Sequence, residues 1–187
     1  MAADDAYLVK ALEGFALFAL NQGEICASPS RALVQASIYD AFMERALARV
    51  NAIRMGNPLD PATMVGALTS PLQMNNVLSY IDLGKREGAH CLIGGKQHLP
   101  QGDRATGWYV EPTVFSGHNG MRIFREEIFG PMLCVTPFDH EDDALSIAND
   151  SPYSLGAGVW TRDGSVMTIP SPKSKTNSTC GPDTEAL

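Results

Sequence analysis

The sequence lacks the features that would assign several common functions. It has only four cysteines, Cys26, Cys91, Cys134 and Cys180, widely separated and without a Cys-x-x-Cys pair. That spacing argues against a disulfide framework and against structural zinc, because neither His90–Cys91 nor Cys134–His140 has a second half at ligand spacing. The longest apolar run is six residues, Phe15 to Leu20, against the ~20 needed to span a bilayer. Positive charge is also scarce: 14 Lys and Arg against 21 Asp and Glu give a net charge of −7. Nucleic acid and anionic membrane surfaces attract clustered cations, so neither is an expected partner. Asp4 and Asp5 stand where a secretory signal would be basic, which predicts a cytoplasmic chain. Neither Gly-x-Gly-x-x-Gly nor Gly-x-x-x-x-Gly-Lys occurs, so no phosphate-cradling loop is indicated. No internal repeat is apparent.

What remains is 187 residues, 44% of them hydrophobic, enough for one domain with its own core. Residues 4–20 repeat apolar positions at helical spacing, with Asp4 or Asp5 as cap, and stop at Asn21-Gln22-Gly23. A short strand is predicted at 32–35, then a helix from Ile38 to Arg54 capped by Ser37, ending before Gly56-Asn57-Pro58. Ser70 and Pro71 open a third helix that runs to Gly84–Gly88. Cys91-Leu92-Ile93 reads as a buried strand, 96–107 as a loop, and 108–115 as a strand that Pro112 marks as an edge or bulge. Strands at 132–138 and 156–161 flank a helix at 141–149 whose first turn is acidic. Alternating strands and helices predict an α/β fold with a mostly parallel sheet flanked by helices. From Val166 to Leu187 there are no aromatics, three prolines and seven Ser or Thr, so 166–187 is expected to be a disordered tail beyond a domain of residues 1–165.

Two stretches could carry chemistry. In Asn21-Gln22-Gly23-Glu24-Ile25-Cys26 a thiol follows a glycine-containing turn, where it can face a cleft beside oxyanion-stabilising N–H groups. A lone cysteine is otherwise a small buried apolar group. In Glu126-Glu127-Ile128-Phe129-Gly130-Pro131 a carboxylate precedes an aromatic by two residues, suited to sugar hydroxyls and a planar base. The same hexapeptide also fits a plain strand entry.

Together, in this order and at this separation, the two stretches resemble the aldehyde dehydrogenase superfamily. Gly56-Asn57-Pro58-Leu59-Asp60, Tyr109-Val110-Glu111-Pro112-Thr113 and Ala148-Asn149 through Tyr153 to Gly156 are similar to the family as well. The likeness runs from about residue 4 to Gly164 and is greatest to the NAD-dependent acetaldehyde and small aliphatic aldehyde branch.

The resemblance implies that Cys26 is the nucleophile, attacking an aldehyde to give a thiohemiacetal and then a hydrolysable thioester, with its own N–H as half of an oxyanion hole. It implies NAD or NADP as cofactor, with Glu127 holding the nicotinamide ribose and Phe129 positioning the ring. The family's general base lies in a Glu-Leu-Gly-Gly stretch and its second oxyanion donor is an earlier asparagine; both, with the dinucleotide-binding domain, are expected before Met1. The implied chain is an internal portion of the catalytic domain, with weak cofactor binding, little dehydrogenase activity of its own and a tendency to self-associate or form a homo-oligomer. The alternative is a non-catalytic chain, either a degenerate remnant or an interaction module that associates with a full-length homologue.

Overall fold

A computed structural model describes residues 6–99 and 107–161, so the proposed tail at 166–187 and the caps Asp4 and Asp5 lie outside the described residues. Its centre is a four-stranded sheet. The strands are β1 (Arg31–Gln35), β2 (His90–Ile93), β5 (Thr113–Ser116) and β6 (Met132–Phe138), in the order β1-β6-β5-β2. β6 pairs in parallel with both β1 and β5, while β2 runs antiparallel to β5 at one edge. The sheet is therefore mostly parallel, as expected. Two further short strands, β3 (Gln97–His98) and β4 (Tyr109–Val110), form a separate antiparallel pair.

Strand alternation divides the core between the two faces. Along β6, Leu133 and Val135 point to the face covered by α1 (Ala6–Ala16) and α2 (Tyr39–Asn51). Met132 and Cys134 point to the face covered by α3 (Pro71–Arg86). β5 does the same with Val114 and Phe115. Side chains in a strand alternate with period two, so one short apolar run serves both layers. Phe15 sits edge-on against Phe18 and Phe42, joining α1 and α2 above the sheet.

Several local expectations are corrected. The first helix ends at Ala16, and Leu17–Gly23 is a 3-10 segment broken by non-helical Leu20, Asn21 and Gln22. Phe18 and Ala19 fit the helical repeat yet are buried by that tighter turn. Ser37 does not cap α2. It lies inside a 3-10 turn, Ala36–Ile38, that feeds the helix directly, and Ile38 occupies the cap without a side-chain bond. The run 108–115 splits at Glu111-Pro112 into β4 and β5, and part of the expected 96–107 loop pairs as β3. β2 forms where expected but, as an edge strand, is largely exposed: Leu92 is 37% exposed, and only Ile93 packs partly against the core. Residues 156–161 form no strand. Instead the Trp160 ring covers the position where Gly14 of α1 lacks a side chain.

The expected cap of α3 is present: Ser70 Oγ accepts from the Gln73 N–H at 3.1 Å, with Pro71 in the first turn. The last helix, α4 (Glu141–Asn149), opens on Glu141, Asp142 and Asp143. Its far end is held by Arg31, whose guanidinium donates to the carbonyls of Ile147 (3.0 Å) and Ala148 (2.9 Å).

Candidate active site

The Cys26 loop descends from the end of α1 through three consecutive residues in the left-handed region, Asn21 (φ 49°), Gln22 (φ 62°) and Gly23 (φ 72°). That reversal turns the chain out of the helix and places Cys26 on an exposed turn before β1. The turn is pinned on both sides. Before the cysteine, the Glu24 carboxylate accepts from the Thr69 N–H (3.1 and 3.3 Å) and hydroxyl (2.8 Å). After it, Ser28 Oγ donates to the Phe18 carbonyl at 3.2 Å, and the Ser28 N–H to that of Ile25 at 3.0 Å. Among the described residues the Cys26 N–H donates to no acceptor.

The three described cysteines occupy different environments. Cys134 is 1% exposed, donates to the Ile123 carbonyl, and burial pushes its thiol far above the usual range. Cys91 is exposed at the sheet edge, yet partial desolvation still raises its thiol, with nearby Lys85 opposing. Cys26 is exposed in a constrained turn.

The second loop, 126–131, meets the first backbone to backbone. A Cβ on Gly23 would run into the Gly130 carbonyl and Pro131 nitrogen, so the contact requires glycine. Gly130 in turn packs against Val77 of α3. Phe129 is left-handed at φ 57°, 41% exposed, and its carbonyl accepts from Gln73 Nε2 at 2.7 Å. The same nitrogen donates to the Ile128 carbonyl at 3.0 Å, joined there by Asn76 Nδ2 at 3.3 Å. The start of α3 thus holds both loops, through Thr69 on one side and Gln73 on the other.

The two neighbouring carboxylates differ sharply. Glu126 accepts from Arg122 (2.6 and 3.1 Å) and the Tyr80 hydroxyl (2.8 Å), and these bonds hold its carboxyl below the usual range. The exposed Glu127 carboxylate accepts no hydrogen bond among the described residues; only its backbone is fixed, by an N–H to the Tyr153 hydroxyl at 3.3 Å. A free carboxylate and an exposed aromatic ring two residues apart on one loop could hold a hydroxyl-bearing ligand with a flat ring.

A cleft of about 540 Å³ lies elsewhere, between Arg122, Arg125, Glu126 and the end of α4. Its charges are already paired, Arg122 with Glu126 and Arg125 with Asp150, both at 2.6 Å, so it is a solvated ion-paired crease rather than a receptive pocket. Among the described residues no three His, Cys, Asp or Glu side chains gather at metal-binding distance, and no helix is long and apolar enough to cross a membrane.

Structure therefore brings together the loops of Cys26, Glu127 and Phe129. It adds Thr69, Gln73 and Asn76, which sequence pattern did not single out. Ser70-Pro71 announces the helix start, but nothing in the sequence says which loops its polar side chains reach.

Comparison with known proteins follows the same lines. A family model described as the aldehyde dehydrogenase family matches residues 1–173. Acetaldehyde dehydrogenase 2 of Cupriavidus necator is 66% identical over 164 residues, which are 88% of this chain and 32% of that protein. The crystal structure of an indole-3-acetaldehyde dehydrogenase with NAD+ superposes at a TM-score of 0.86 with 46% identity, covering 94% of this chain and 35% of the other. A betaine aldehyde dehydrogenase from Staphylococcus aureus, also in complex with NAD+, gives 0.86 at 36% identity, over 94% and 35% of the two chains. The chain spans about a third of the length of the relatives it matches.

Proposed function

Since this chain belongs to the aldehyde dehydrogenase family, we propose that its two joined loops form the nucleophile and nicotinamide-facing part of an aldehyde-oxidising site. The supporting observation is the Gly23–Gly130 contact, which sets the Cys26 turn against the Glu127–Phe129 loop.

In this proposal the Cys26 thiolate forms a C–S bond to the carbonyl carbon of a small aldehyde, and the carbonyl oxygen takes the electron pair and points at the Cys26 N–H. An exposed, backbone-held turn suits that role, since attack requires thiolate and an accessible sulfur. Glu127 takes the ribose hydroxyls and Phe129 orients the nicotinamide ring. NAD or NADP, when bound, supplies the hydride acceptor. Glu127 and Phe129 reach only the nicotinamide end, so the affinity of these 187 residues for the dinucleotide is weak.

The sequence contains no Glu-Leu-Gly-Gly stretch for the family's general base. Glu24 does not replace it, because its carboxylate is committed to Thr69. Lack of a base and of a second oxyanion donor each costs roughly two or more orders of magnitude. We therefore expect Cys26 to be reactive while the chain alone turns over little aldehyde. The test is limited iodoacetamide labelling with mass mapping, alongside NADH formation from acetaldehyde with Cys26→Ala as control. Cys26 should label ahead of Cys91 and Cys134, and NADH should not exceed the control. Equal labelling of the three cysteines would overturn the nucleophile assignment. Cys26-dependent NADH would overturn the expected inactivity and leave the nucleophile in place.

A further inference from the structure

We propose that Glu24 is a positioning residue for Cys26, acting through Thr69 at the start of α3. This rests on Cys26 being the nucleophile. Glu24 lies two residues before the cysteine, yet its side chain reaches 45 residues along the chain to Thr69. Its carboxylate takes two donors there, the N–H and the hydroxyl. Its main chain is fixed as well: the Glu24 N–H donates to the Asn21 carbonyl at 3.0 Å, and Asn21 Nδ2 donates to the Glu24 carbonyl at 3.3 Å.

Ser28 anchors the other end of the turn, so Cys26 sits between two fixed points, one on Phe18 and one at α3. The Glu24–Thr69 tie refers the cysteine directly, by hydrogen bonds, to the start of α3. That helix also fixes the Phe129 carbonyl through Gln73. Both loops thereby share one reference, and the direction of the Cys26 N–H depends on a bond made by its second neighbour. Misplacement by an ångström is costly when a developing oxyanion must meet a fixed donor.

Two reactions at the same sulfur separate positioning from mere accessibility. Acylation by p-nitrophenyl acetate forms a C–S bond to the acetyl carbon and expels p-nitrophenolate, passing through an oxyanion that the Cys26 N–H must meet. Alkylation by iodoacetamide forms a C–S bond and expels iodide with no oxyanion. Glu24→Ala and Thr69→Val in the 187-residue chain should each lower the Cys26 acylation rate about tenfold. Alkylation should stay within about twofold or rise, since Glu24→Ala also removes a like charge near the thiolate. Glu24→Gln, which keeps an acceptor oxygen, should recover part of the acylation rate. The double variant should be no slower than the slower single one, as members of one unit are non-additive. Thr69→Val preserves the Thr69 N–H bond and so reads the tie even if Glu24→Ala does not fold. An unchanged ratio of acylation to alkylation in Thr69→Val, with wild-type Cys26 being acylated, overturns the positioning role alone. Failure of wild-type Cys26 to be acylated at all overturns the nucleophile assignment with it.

Discussion

Gly23 is the residue on which the site geometry turns. A left-handed conformation costs a non-glycine residue about 1–2 kcal/mol, and Asn21 and Gln22, the two residues before Gly23, already adopt it. Gly23 has a second constraint, because any Cβ there meets the Gly130 carbonyl. Gly23→Ala should therefore destabilise the chain by about 2–4 kcal/mol, combining a disfavoured backbone with overpacking. Urea unfolding measures this. It should also separate the two loops, so that iodoacetamide labelling of Cys26 in the folded variant no longer stands ahead of Cys91. A midpoint within about 0.5 kcal/mol of wild type would mean the loops part without cost.

Among the elements, α4 depends most on one side chain. Arg31 at the start of β1 is half-buried and donates to Asn119 Oδ1 (2.9 Å) and the last two carbonyls but one of the helix, Ile147 and Ala148. The Ile147 carbonyl also accepts from the Asp150 N–H at 3.3 Å, whereas that of Ala148 lies in the last turn, so a cation there is both cap and dipole complement. Arg31→Met should loosen α4 first. Hydrogen exchange should show the α4 amides exchanging faster, with a loss of about 1.5–3 kcal/mol in local protection, while α2 amides are little changed. Uniform acceleration across both helices would show that Arg31 supports the sheet rather than α4.

The elements also show where sequence pattern suffices. α3, β6 and α4 are legible because period and signal agree, as with Ser70-Pro71 before α3, while α2 is legible by its period alone. The 3-10 turns at Leu17–Gly23 and Ala36–Ile38 are local departures, but other failures share a cause, a deciding partner distant in sequence. β4 separates from β5 because it pairs with β3, and 156–161 stays irregular while Trp160 packs on Gly14. Likewise the Cys26 and Glu127–Phe129 loops are legible as motifs by resemblance. The bonds of Glu24 to Thr69 and of Gln73 to Phe129 are not, since a threonine hydroxyl and a glutamine amide carry no sign of their acceptor.

For the whole molecule, the two sides of the sheet decide its behaviour in solution. β1 and β2 are its outer strands, and among the described residues neither pairs on its outer side. Outer strands with free N–H and C=O groups recruit further chains. Exposed Leu17, Leu20 and Tyr7 add apolar surface. The 187-residue chain should self-associate, with an apparent mass by light scattering that rises with concentration. A constant monomer mass with a cooperative melt would contradict this.

The pairing of β1 with β6, Arg31 opposite Cys134, also sets a timetable. The two strands are about a hundred residues apart in the chain. During synthesis, α1, the left-handed bend and β1 emerge before β6, and β1 cannot make this pairing until β6 has left the ribosome. Contacts closed over such separations form late, because the loop entropy comes before the reward. The Cys26 turn lies between α1 and β1, so it is set among the last features of the fold. Until then the thiol and the apolar faces of α1 and α2 are open together, and this interval is when oxidation and aggregation have their best chance.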